Sequence, residues 1–171
     1  ARVWHAILQE DSSLNYGSIC DSLTFCFSKA LGAPIGSMLL GSREFIKEAR
    51  EYRKILGGGT RQVGVIASMA SKALDKRERL LEDHTKAENV YKGLLDNHKK
   101  NEFNLKYQNT NMVFLEFENN ENASQFIERL QNQQVLSGLI NKNTVRLVFH
   151  KDILIKDLET IKEAIYSSSK S

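Results

Sequence analysis

The sequence predicts an α/β chain in two parts. Residues 1–100 alternate two short strands with helices, and residues 101–171 form a small α+β domain. Three observations carry this. Two apolar runs, Leu23–Phe27 and Ser37–Gly41, bracket a loop of small residues. Apolar residues at helical spacing then dominate from Phe45 to Leu95. From Phe103 the pattern changes to period two, interrupted by one helical stretch and closed by another.

The 171 residues are 41% hydrophobic, enough to bury a real core in one large or two small domains. With 24 Lys and Arg against 21 Asp and Glu, the net charge is only +3, so composition calls for neither nucleic acid nor an anionic membrane. Cys20 and Cys26 are too far apart along an extended segment to bridge easily. Two such cysteines fit a reducing, cytoplasmic setting. No apolar run approaches the ~20 residues of a membrane-spanning helix. Ala1 is not methionine and the apolar pattern of Val3, Trp4, Ala6 and Ile7 opens without a cap, so a piece of a longer protein is expected.

Taken in order, residues 1–10 read as a short helix or the exit from a strand, followed by the polar loop 11–13 and a short helical segment, 14–20. The strands flanking the Lys29 loop come next, with Pro34 stiffening the loop. Ser42 caps a helix carrying Phe45, Ile46, Ala49, Tyr52 and Leu56, which Gly57-Gly58-Gly59 ends. Residues 63–100 read as one long helix, or two with a break. The nearly uncharged half, Val63–Leu74, is expected to be buried on several sides, and the charged half shows an apolar stripe from Leu80 to Leu95. Strands at 104–108, 111–118, 134–139 and 144–149 and helices at 123–133 and 153–167 complete the second part.

Lys29 stands where strands end and glycine lets other groups approach closely, a place suited to covalent chemistry on a carbonyl; the plainer alternative is a solvated loop lysine. Lys54 and Arg61 flank the three open glycines before a helix, which makes either a phosphate or carboxylate cradle or a hinge with solvated cations. Arg146 interrupts an apolar strand, either pointing out to water or held for a bidentate carboxylate contact. Arg2 lies beside Trp4 and His5. His84 and His98 read as solvated, and His150 as a cap or an orienting group. Glu116 and Glu118 form the wet face of a strand. No histidine pair has zinc spacing, and no metal site is expected.

Four segments in this order carry a resemblance: Ser-Lys-x-Leu-Gly-Ala-Pro-x-Gly-Ser at 28–37, Tyr-Arg-Lys-x-Leu-Gly-Gly-Gly-x-Arg-Gln at 52–62, Thr-Asn-x-Val-Phe at 110–114 and Val-Arg-Leu-Val-x-His-x-Asp at 145–152. Through essentially its whole length the chain resembles the C-terminal part of threonine aldolases, pyridoxal 5′-phosphate (PLP) enzymes grouped with the β-eliminating lyases. The resemblance implies part of an aspartate aminotransferase-like, PLP-dependent transferase large domain with its connecting helix (1–100), followed by a small C-terminal α+β domain (101–171).

It also implies an activity: cleavage of threonine or allo-threonine to glycine and acetaldehyde. On this resemblance Lys29 matches the lysine holding PLP as an imine. Arg146 and Arg2 match arginines on the substrate carboxylate. Lys54 and Arg61 match cations near the cofactor phosphate, which in the family reach a neighbouring subunit's site. Ala30 departs from the glycine usual after the lysine. The Asp-Gly preceding Arg2, the phosphate loop and the ring-stacking histidine would lie before Ala1. A cytoplasmic homo-oligomer, dimer or tetramer, serving threonine metabolism and glycine biosynthesis follows from the same resemblance. Another fold type I PLP enzyme (β-eliminating lyase or aminotransferase), or a truncated non-catalytic subunit, are the alternatives.

Overall fold

The computed structural model describes residues 2–9, 15–96 and 102–169. Two compact units divide the chain, 1–80 and 81–171. The division expected near residue 100 falls at 97–101, outside the described residues.

The first unit opens with α1 (Val3–Gln9) and the single turn α2 (Tyr16–Ile19), capped by the Asn15 side chain accepting from the Gly17 amide at 3.0 Å. The loop expected at 11–13 lies outside the described residues. Strands β1 (Ser22–Cys26) and β2 (Ser37–Gly41) form an antiparallel pair with Leu23 opposite Leu40 and Phe25 opposite Met38. Helix α3 (Arg43–Ile55) starts on Ser42, whose hydroxyl accepts from the Phe45 amide at 3.2 Å, as the sequence predicts. Helix α4 (Val63–Asp75) follows the glycine run.

Burial in this unit departs from expectation. Only Ala70 of α4 is buried, while Val65 is 61% exposed. Its sparse charge therefore marks an apolar surface rather than a core helix in this chain. No residue of α3 is buried either. The core is small: Phe25, Phe27, Leu31, Ala33, Ala70 and Leu80, with Val3, Trp4 and Leu8 of α1 against it.

The long helical stretch breaks at a 3-10 turn, Arg77–Arg79, before α5 (Leu80–Asp96). The second unit is a four-stranded antiparallel sheet of order β3-β4-β6-β5, made from β3 (Phe103–Tyr107), β4 (Met112–Phe117), β5 (Gly138–Leu139) and β6 (Thr144–Val148). Helices α6 (Asn120–Asn132) and α7 (Leu158–Ser168) complete it. Alternation sorts the sheet into two faces. Val113, Leu115, Phe117, Val145 and Leu147 are buried in one cluster with Ala87, Val90 and Leu94 of α5, Phe126 and Leu130 of α6, and Leu158 and Ile165 of α7. Met112, Phe114, Glu116, Arg146 and Val148, on the other face, stay half-buried.

The strand expected at 134–139 shrinks to Gly138–Leu139. Gln134 takes a left-handed φ of 62°, and the Val135 amide donates to the Leu130 carbonyl at 3.0 Å, so the first residues are used in closing α6. His84 is buried, not solvated. Burial pulls its imidazole below the ordinary 6.5, against the opposing pull of Asp83. Tyr107 donates its hydroxyl to the His84 carbonyl at 3.4 Å, and burial first, then Glu88, pushes its phenol up to about 12. His98 lies outside the described residues.

Candidate active site

The Lys29 loop is closed by its own backbone. The Phe27 amide donates to the Gly36 carbonyl at 2.9 Å, the Ala33 amide to the Phe27 carbonyl at 3.0 Å, and the Gly32 amide to the Lys29 carbonyl at 2.9 Å. Gly32 and Gly36 take φ of 80° and 122°, which only glycine adopts without strain, so the path needs glycine at both positions. Phe27, Leu31 and Ala33 are buried under the loop, whereas Ser28 and Lys29 are exposed. The apolar flanks anchor the loop, and the amine is left outside. Among the described residues the Lys29 side chain has no hydrogen bond or ion pair.

Arg2 lies at the start of α1, its carbonyl accepting from the His5 amide at 3.0 Å. That helix packs on the same core as the lysine loop: Trp4 meets Phe25 edge-on at 5.9 Å, and Phe25 meets Phe27 at 5.0 Å. The structure thus brings the helix of Arg2 and the loop of Lys29 onto one aromatic cluster. Lys54 and Arg61 are exposed on either side of the glycine run, and no contact among the described residues links them to that cluster. A side chain at Gly58 would meet the Arg53 carbonyl at 3.0 Å, so this turn demands a bare backbone.

Arg146 belongs to the second unit. It lies at the centre of β6, between Phe114 of β4 and Gly138 of β5. Register places it on the half-buried face, opposite Val145 and Leu147, and among the described residues it has no hydrogen bond or ion pair. On β3, across Phe114 from it, Lys106 is already engaged, 2.7 Å from Glu116. His150 caps the strand end, its Nδ1 accepting from the Asp152 amide at 3.3 Å.

Two groups that sequence patterns alone do not reveal hold main chain near these residues, one in each unit. Arg79 donates to the carbonyl of Ala30, next to Lys29. Asn111, fully buried, donates from Nδ2 to the Phe149 carbonyl at 2.7 Å and accepts the Phe149 amide on its own carbonyl at 2.8 Å. The only trace of Asn111 in the sequence is its place in the Thr-Asn-x-Val-Phe segment; Arg79 left none.

A family model described as beta-eliminating lyase matches residues 1–118. The chain belongs to the beta-eliminating lyase family. Among relatives of this beta-eliminating lyase chain, the low specificity L-threonine aldolase of Escherichia coli O157:H7 is 37% identical over 164 residues, 94% of this chain and 47% of that protein. A Listeria monocytogenes EGD-E structure assigned as an L-allo-threonine aldolase superposes with a TM-score of 0.72 at 18% identity, covering 98% of this chain and 50% of that one. A structure of SPT with a PLP internal aldimine superposes at 0.67 with 15% identity, covering 86% of this chain and 39% of that one. These superpositions show the fold, part of that of fold type I PLP-dependent enzymes. The chain spans less than half the length of the curated relatives it matches.

Proposed function

We propose that the whole protein is a PLP-dependent carbon–carbon lyase that cleaves threonine and allo-threonine to glycine and acetaldehyde. One observation carries this reading: an exposed lysine on a rigid, glycine-bounded loop, in a chain 37% identical to an L-threonine aldolase over 94% of its length.

The residues present fit the cofactor in kind. Lys29 offers a primary amine on a held backbone, the glycine run offers bare amides with Lys54 and Arg61 beside them, and Arg146 offers a planar fork with no internal partner among the described residues. Bound there, PLP would supply the electron sink that takes up the charge left on Cα when the Cα–Cβ bond breaks. Lys29 would hold the cofactor's aldehyde carbon until the substrate amine replaces it. Arg146, with Arg2, would grip the α-carboxylate through paired N–H donors and so fix which bond at Cα stands ready to break. Lys54 and Arg61 would neutralise the cofactor phosphate, in their own subunit or a neighbour's.

We assign 1–100 to the cofactor-binding large domain with its connecting helix and 101–171 to the small domain; the packing of α5 residues into the second core gives that connector its anchor. The exposed apolar residues of α3 and α4 support a homo-oligomer, a dimer or tetramer. The free cysteines fit a cytoplasmic enzyme of glycine biosynthesis. No helix among the described residues is long and apolar enough to cross a membrane.

Product analysis tests the reading. The full-length protein with PLP and threonine should release glycine and acetaldehyde. Ammonia with a keto acid would mark a different lyase or aminotransferase, and no turnover of any β-hydroxy-α-amino acid would reject the assignment.

A further inference from the structure

The lysine loop is held from beneath by two consecutive residues. Leu80 is fully buried in the cluster of Phe25, Phe27 and Leu31, which presses the loop onto the core. Arg79, immediately before it, donates a guanidinium N–H to the carbonyl of Ala30, 49 residues away in sequence. The Lys29 carbonyl is already held by the Gly32 amide at 2.9 Å, but packing alone would leave the next peptide, Ala30–Leu31, without the bond that Arg79 supplies. A charge-assisted bond to one carbonyl is directional and fixes that peptide. The neighbouring Arg77 secures the same turn: it donates to the Leu74 carbonyl at 3.2 Å and lies 5.6 Å from the Trp4 ring centroid, and Trp4 in turn meets Phe25. None of these contacts involves the Lys29 amine. They act on the main chain that carries it.

We propose that Arg79 is a positioning residue for Lys29: by holding the Ala30 carbonyl it fixes the direction in which the lysine side chain leaves the loop. The proposal rests on the assignment of Lys29 as the cofactor-binding amine. It separates two quantities that a structural role would move together, the covalent capture of the cofactor and its non-covalent binding.

The experiment uses the full-length apoprotein and two probes. Pyridoxal 5′-phosphate condenses through its aldehyde with a lysine amine, forming a C=N bond with loss of one water, and borohydride fixes the product by adding hydride to that bond. Pyridoxine 5′-phosphate carries an alcohol in place of the aldehyde and cannot condense. In Arg79→Met, the equilibrium constant for capture on Lys29, read by borohydride fixation and peptide mapping, should fall about tenfold. The Kd for pyridoxine 5′-phosphate should stay within about twofold, since that probe does not use the lysine. Arg79→Lys, which keeps a charged donor, should recover part of the capture. Arg79→Gln serves in place of Arg79→Met if the latter does not fold, with the same expectation. Equal losses for both probes, or no loss of capture, would overturn the proposal. Lys29→Ala is run alongside: if it still yields a fixed adduct, the assignment of Lys29 fails, a result distinct from any failure of Arg79.

Discussion

Lys86 donates to the main-chain carbonyl of His150 at 3.2 Å, and does so from inside the second unit, its side chain 8% exposed. The same ammonium lies 3.4 Å from the carboxylate of Asp83, which is fully buried. Helix α5 therefore grips the chain just beyond β6 through a hydrogen bond from an ammonium that is itself held in a buried ion pair on the helix, rather than with apolar contact alone.

Removing one member of that pair breaks a buried ion pair. Lys86→Met should lower the unfolding free energy by roughly 3–5 kcal/mol, because a buried charge loses this partner. Lys86→Met with Asp83→Leu should be markedly less harmful, since both charges of the pair are then gone. Urea denaturation of the three proteins checks this, and a double variant as unstable as the single one would contradict it.

Asn111 clasps the other side of the same strand end. Asn111→Ala removes the donor to the Phe149 carbonyl, which is expected to cost about 1–3 kcal/mol. A thermal midpoint indistinguishable from that of the parent would show that the clasp is idle.

His84 gives the fold a pH dependence whose sign is set by its environment. Burial lowers its folded value below 6.5, so the folded state holds fewer protons on this ring than the unfolded state. The stabilisation is present above the unfolded value and is lost as pH falls from about 6.5 towards the folded value. The drop in urea midpoint between about pH 7.5 and pH 5.5 should be smaller in His84→Asn than in the parent. Equal drops would remove His84 from the account.

Arg146 bears on the proposed substrate carboxylate. Arg146→Ala in the full-length enzyme should cost roughly 2–5 kcal/mol in kcat/KM for threonine, with Arg146→Lys intermediate because a point charge replaces a fork. Steady-state kinetics reads this directly, and unchanged kcat/KM would exclude the contact.

Local rules made much of the fold legible. Ser42 announced α3, and alternation announced β4 and β6, where burial follows period two throughout β4 and from Val145 onward in β6. Lys29 could be singled out because its flanks are apolar and its loop needs glycine. What stayed hidden depends on partners distant in the chain. Nothing near Lys86, Asp83 or His84 distinguishes them from the solvated charges of α5, because the groups that meet them, such as the His150 carbonyl and the Tyr107 hydroxyl, lie far along the chain. The exposed apolar side chains of α4 misled for a related reason: hydrophobicity marks a surface for covering, not what covers it. The β5 strand was overestimated because the residues before it are taken up in ending α6.

The bond from Arg79 to Ala30 also sets an order of events during synthesis. Lys29 leaves the ribosome well before the arginine that orients its loop. At about 5–20 residues per second, the intervening 49 residues take roughly 2–10 s to make. Through that interval the lysine sits on a segment whose last restraint has not yet been translated, so a nascent chain should be slower to capture cofactor than a finished one.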